Sequence, residues 1–262
     1  MSKRKSNTRR SYYDIEETNK QPFYKGVKAN AAGSNVLPFN TYATHHKTTV
    51  TLLPKSDKQA EYIRLLLNKS KTVIFATGPA GTGKTMLAVT AAIKAFKHGE
   101  CDKIVITRPA VEVDEEKHGF LPGTLNEKMA PWVRPIIDVM KDYFTPKDIQ
   151  LMIEDETIEV SPLAFMRGRT FKNSWIIADE MQNATPGQLK MLLTRIGENS
   201  RIVVTGDTQQ TDRKGSSNGL VDFQKRVSVL ANLSFISSVE FTGEDIQRHP
   251  AVEEILRIYG DI

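Results

Sequence analysis

The chain has 262 residues, 39% hydrophobic and 26% charged, which suits one packed domain with an appendage and excludes a wholly disordered protein. No apolar run approaches the roughly 18 residues that cross a bilayer, and Met1-Ser2-Lys3-Arg4-Lys5 leads into polar residues, as no secretory signal does. The lone cysteine, Cys101, excludes an internal disulfide and reads as an inert thiol, so a cytoplasmic protein with no membrane association is expected.

In chain order, residues 1–48 come first, as a basic arm or linker. Residues 1–50 hold nine Lys or Arg against three acids, while the rest of the chain holds 27 against 28, so the formal +5 comes from this arm. It lacks helical or strand periodicity, contains the linker-like Asn30-Ala31-Ala32-Gly33-Ser34-Asn35, and is expected to be partly disordered. Such an arm either solubilises the protein or adds affinity for nucleic-acid phosphates through counterion release. His45-His46 lacks further ligands and is not read as a metal site.

Residues 49–262 read as one α/β domain. Ser56 or Asp57 caps a helix whose inner face carries Tyr62, Ile63 and Leu66. Val73-Ile74-Phe75-Ala76 is a continuous apolar run of the buried-strand kind, followed by a Gly-rich turn and a helix from Met86 to about Phe96. Ile104-Val105-Ile106, Trp175-Ile176-Ile177-Ala178 and Ile202-Val203-Val204 are strands of the same type, and 233–236 with 239–241 suggests one more. Helices are predicted over 126–143, 186–196, 219–230 and 251–259. Alternation of this kind predicts a mostly parallel sheet between helices.

The strongest motif is Gly78-Pro79-Ala80-Gly81-Thr82-Gly83-Lys84-Thr85, with Met86 opening the helix behind it. Glycines let backbone N–H groups wrap an anion, and the helix N-terminus favours phosphate. Lys84 would reach the β- and γ-phosphates of ATP, and the Thr85 hydroxyl would bind Mg²⁺. A second motif ends the strand 175–178 in Asp179-Glu180. It puts two carboxylates at the sheet edge where such folds bind ligands. Asp179 is assigned to Mg²⁺, and Glu180 is assigned as the general base that activates water. The third is Gly206-Asp207-Thr208-Gln209-Gln210, whose Asp207 and Gln210 could sense the γ-phosphate or position the water. Arg248 is the favoured arginine finger or sensor, with Arg108, Arg167 and Arg169 as other candidates. Aromatics at Phe120 and Trp132, beside Lys and Arg, could stack bases or simply be core.

These motifs, together with Thr107-Arg108-Pro109-Ala110-Val111-Glu112, the segment 119–123, the segment 161–170 and Arg248-His249-Pro250, resemble the PhoH family of phosphate-starvation-inducible ATPases. The resemblance runs from about residue 50 to the end. It implies a RecA-like P-loop core related to superfamily 1 helicases, ATP hydrolysis with Mg²⁺, and action on RNA. Gln59 is similar to the adenine-reading glutamine of helicase Q motifs. Superfamily 1 helicases close ATP between two RecA-like domains, and only one is legible here, so a homo-oligomer is expected. A hexameric ring, with Arg248 reaching across the interface, would supply the second wall. The expected function is ATP hydrolysis coupled to binding or remodelling of single-stranded nucleic acid, RNA before DNA. The rival is an ATP-gated switch that turns over slowly and recruits partners. A small-molecule kinase is disfavoured by the water-activating Glu180.

Overall fold

A computed structural model describes residues 49–109, 125–210, 218–230, 232–247 and 250–259. The basic arm 1–48, Phe120 and Arg248 lie outside the described residues.

Six strands form one sheet: β1 (Val73–Thr77), β2 (Lys103–Arg108), β3 (Ile158–Pro162), β4 (Ser174–Ala178), β5 (Arg201–Gly206) and β6 (Ile236–Glu240). Their order is β3-β2-β4-β5-β1-β6, and every pairing is parallel. A parallel sheet between helices is what the sequence predicts. The register brings the strand ends nearly flush, with Thr77 beside Gly206, and Ala178 beside both Val204 and Thr107. Whatever follows β1, β4 and β5 therefore emerges along one carboxyl edge, and β5 separates the other two.

The apolar runs explain why the sheet is covered on both sides. Ile74, Ala76, Ile104, Ile106, Ile177 and Val203 face one buried cluster, while Val73, Phe75, Val105, Ile176, Ile202 and Val204 face the other. Each fully buried Ile or Val contributes roughly 2 kcal/mol relative to exposure. Helices α1 (Asp57–Leu67), α2 (Lys84–Lys97), α3 (Leu125–Lys141) and α4 (Pro146–Glu154) supply the first cluster with residues such as Tyr62, Ile93, Ile136 and Met152. The second face is covered by a 3-10 turn (Leu163–Met166), α5 (Pro186–Leu193) and α6 (Gly219–Ser228), with Phe223 stacked on Phe75 at 4.2 Å between ring centroids. A last helix, α7 (Pro250–Tyr259), ends the described chain. Among the described residues no helix is long and apolar enough to cross a membrane.

Local signals set the helix starts. The Ser56 hydroxyl accepts from the Gln59 amide, and Thr145 and Thr185 each form a reciprocal capping box with the residue three further on, Pro occupying the first helical position. Two elements depart from the sequence reading. Neither β3 nor α4 was expected, because β3 is a short edge strand with the polar Glu159 inside it and Pro162 at its end. Trp132 packs partly buried against the first cluster, and its carbonyl accepts from Arg108 Nη1 at 3.2 Å, so it serves the core and not a base-stacking surface. Cys101 is buried, and burial with the nearby Asp102 and Glu100 charges pushes its thiol up to about 12, in keeping with an inert residue.

Candidate nucleotide site

The turn after β1 passes through Gly78, Gly81 and Gly83 at φ of 132°, 85° and 81°, the left-handed region that a Cβ disfavours. At Gly78 space is limiting as well, since a Cβ would collide with the carbonyl oxygen of Phe241. The loop is braced from several sides. Gln59 Nε2 donates to the Thr82 carbonyl at 3.0 Å, and its Oε1 accepts from the Lys55 amide at 2.8 Å. The Gly78 amide donates to Gly206 at 3.2 Å, and the Gln247 amide donates to Gly81 at 2.9 Å. Gln59, expected to read adenine, is 1% exposed and is engaged with backbone at both ends of its carboxamide. Its place in the structure is behind the loop, as a brace.

Lys84 is 8% exposed, and its ammonium donates to the carbonyls of Gly78 and Pro79 at 2.7 and 2.6 Å and to the Thr82 hydroxyl at 3.3 Å. These bonds turn loop carbonyls inward to the lysine. The N-terminus of α2, with its free amides and dipole, favours an anion. Tyr62 donates to the Lys84 carbonyl at 3.4 Å. Burial, and then the Asp179 charge, push its phenol well above the ordinary value, so it stays a neutral donor.

Across the loop, Asp179 Oδ1 accepts from the Thr85 hydroxyl at 2.7 Å and from the Thr205 hydroxyl at 2.6 Å. The first bond joins the two predicted magnesium ligands. The second brings in Thr205, which sequence reading missed because its role depends on β5 lying next to β4. Glu180 follows with φ 53° and ψ 39°, a left-handed conformation that costs a non-glycine residue about 1–2 kcal/mol and tends to persist at functional sites. Its carboxylate is partly exposed and lies 3.8 Å from Arg108 Nη2. Gln182 Nε2 donates to Glu180 Oε2, and Gln182 Oε1 accepts from the Asp207 amide at 3.1 Å. A single buried carboxamide thus ties Glu180 to Asp207. Nothing in the sequence separated Gln182 from its buried neighbours Met181 and Asn183.

A cavity of about 280 Å³ gathers these groups, lined by Ala80, Gly81, Gly83, Lys84, Thr85, Met86, Asp179, Glu180, Gly206, Asp207 and Gln210. Gly78, Pro79 and Thr82 form the part of the loop that Lys84 grips. Asp207 is 7% exposed, and its Oδ1 accepts from the Gln209 amide at 3.0 Å, while Gln210 is exposed at the rim. The hydroxyl and carboxylate of Thr85 and Asp179 are hard oxygen donors that suit magnesium, and the glycine loop suits a polyphosphate. Among the described residues there is no cluster of three or more His, Cys, Asp or Glu, so water and phosphate oxygens would complete such an ion's shell.

The cationic candidates separate cleanly. Arg108 is at the site. Arg169 is at the opposite edge of the sheet, paired through both terminal nitrogens with Glu159 and lying 4.5 Å over the Phe171 ring, so it is not a finger for this cavity. Arg167 is exposed and lines no part of the cavity. Arg248 lies outside the described residues, although Gln247 before it is tied to the loop.

Residues 51–260 match the family described as PhoH-like protein. A PhoH-like protein of Synechocystis sp. is 43% identical over 254 residues, covering 91% of this chain and 76% of its own length. A PhoH-like protein of Bacillus subtilis is 43% identical over 206 residues, covering 78% and 63%. Among solved structures, the Pif1 helicase from Candida albicans aligns over 80% of this chain and 44% of its own, at 14% identity and a TM-score of 0.40.

Proposed function

The chain belongs to the PhoH-like family, and on that premise we propose that this P-loop ATPase hydrolyses ATP with Mg²⁺ and couples the cycle to single-stranded nucleic acid, RNA before DNA. The observation that carries the catalytic part is the Thr85–Asp179 bond beside the loop, with the Glu180 carboxylate held at the cavity. Lys84 would place its charge on the β- and γ-phosphates. Thr85 and Asp179 would hold magnesium, which when bound screens the phosphate charge. Glu180 accepts the proton of the attacking water, and Gln182 fixes that carboxylate relative to Asp207. Gln210 on the rim is suited to the γ-phosphate side.

The nucleic-acid part is supported by the basic arm and by the helicase-like motifs of β4 and β5. A hexameric ring, with Arg248 entering a neighbour's site, would supply the guanidinium that such hydrolysis gains from. The deciding experiment is ATP turnover by the wild type and by Glu180→Gln, each with and without single-stranded RNA. We expect RNA to raise wild-type turnover, and the variant to lose about 10²–10⁴-fold while still binding ATP. Turnover indifferent to RNA would favour the slow ATP-gated switch, and an unimpaired variant would remove Glu180 as the base.

A further inference from the structure

The face of the sheet covered by α5 carries a charge pattern that the nucleotide site does not use. Residues 160–178 contain Arg167, Arg169 and Lys172 and no carboxylate, and residues 181–197 contain Lys190 and Arg195 and no carboxylate. The two stretches meet in space. The 3-10 turn Leu163–Met166 packs against α5, with Leu163, Met166, Leu189 and Leu192 in one buried cluster. This anchoring sends the intervening side chains outward. Phe165 is 58% exposed and the adjoining Ala164 is exposed too, while Leu163 and Met166 on either side of the pair are buried, and Arg167 and Lys190 are exposed.

The use made of each cation matters. Arg169 is consumed by Glu159, and Lys172 lies 3.8 Å from Glu198. Arg195 donates to the Met191 and Arg169 carbonyls and meets no carboxylate among the described residues. Arg167 and Lys190 make no side-chain hydrogen bond or ion pair among the described residues. An exposed aromatic ring, with an uncommitted Arg two residues on and an uncommitted Lys on the helix packed against its turn, matches the two needs of a single strand: a stacking face for bases and charge for phosphates.

We propose that Phe165, Arg167 and Lys190 form a platform for single-stranded nucleic acid, with one base stacked on Phe165 and the backbone held by the two cations. The proposal rests on the nucleic-acid reading above and gives it a place. It also explains how a bound strand could be felt at the nucleotide. The 3-10 turn leaves β3 at Pro162, which is abreast of Arg108, and Arg108 Nη2 is 3.8 Å from Glu180. Lys190 lies in the helix that directly follows Glu180 and its short turn.

The test is fluorescence anisotropy of a labelled oligo-uridine on the full chain, with ATP and magnesium, across a salt series. Melting temperature serves as the check that each variant is folded. Phe165→Ala should weaken binding about tenfold with an unchanged salt slope. Arg167→Glu with Lys190→Glu should weaken it at least as much and lower the slope by roughly two, because two phosphate contacts are lost. The basic arm is present in every variant, so its contribution cancels in the comparison. Wild-type binding that no variant alters would overturn the platform while leaving nucleic-acid binding intact. If Phe165→Ala has no effect and polyglutamate competes as well as RNA, the face is an acceptor for acidic protein and the proposal is wrong. Absence of wild-type binding to single strands would overturn the nucleic-acid reading itself, and the platform with it.

Discussion

The two edges of the sheet each carry a cavity of similar size, about 280 Å³ at the carboxyl edge and about 360 Å³ at the amino edge, and both are lined with charge. What differs is how the charge is partnered. At the amino edge Glu159 takes Arg169 and Lys103, and Lys103 also lies 3.6 Å from Glu156, so acids and bases neutralise one another. At the carboxyl edge Asp179 rests on two hydroxyls and Lys84 on backbone carbonyls. Neutral partners orient a charge without cancelling it, and they can be exchanged for phosphate or metal at low cost. Glu180, 3.8 Å from Arg108, is the exception at the carboxyl edge, so the contrast lies in how Asp179 and Lys84 are held on one side and Glu159 on the other.

The sharpest way to break this contrast is Gly78→Ala. A Cβ there meets the Phe241 backbone, and φ of 132° strains any L side chain, so we expect loss of ATP binding and a destabilisation of at least about 2 kcal/mol by denaturant titration. Retained ATP affinity would show that the loop is not held as described. Next is Gln182→Ala, which should lower kcat about tenfold with little change in KM for ATP, as expected of a residue that orients the base. An equal rise in KM would instead place Gln182 in nucleotide binding.

Glu159→Gln probes the other edge and should have the smallest effect. Burial raises the Glu159 carboxyl, but hydrogen bonds and charge from Arg169 and Lys103 outweigh this and hold it below the ordinary value. The unfolded chain therefore binds the proton more readily, so the pairing stabilises the fold at neutral pH. That contribution disappears as pH falls through the depressed folded value. We expect the variant to lose about 1 kcal/mol at pH 7, a figure kept small by the exposure of Arg169, and to converge on the wild type in acid. ATP turnover should stay as it was, and a large fall would mean that the amino edge serves the reaction.

Much of this contrast was legible in the residues. Four strands, β1, β2, β4 and β5, appeared as apolar runs and β6 as the broken pattern 233–236 with 239–241, and the gathering of Lys84, Thr85, Asp179 and Glu180 at one cavity was expected from motif and strand end. Thr205, Gln182 and Arg108 acquire their positions from strand order and register, which no local pattern encodes. Gln59 was noticed for its likeness to a helicase glutamine, yet its burial behind the loop depends on how α1 docks. The edge strand β3 was missed because two polar side chains, Glu159 and Ser161, and a terminal proline disguise it, and with it went the Glu159 cluster.

The strand order has a consequence for biosynthesis. Among the described residues β1 is the first strand to leave the ribosome, but its neighbours are β5 and β6, the last two described, and its loop is closed by Phe241 and Gln247. Until those residues emerge, Val73–Thr77 has no partner on either side and the P-loop has no back wall. The nascent protein therefore acquires its capacity for nucleotide only after residues 201–247 have emerged, and the apolar strand β1 must be kept from aggregation in the meantime.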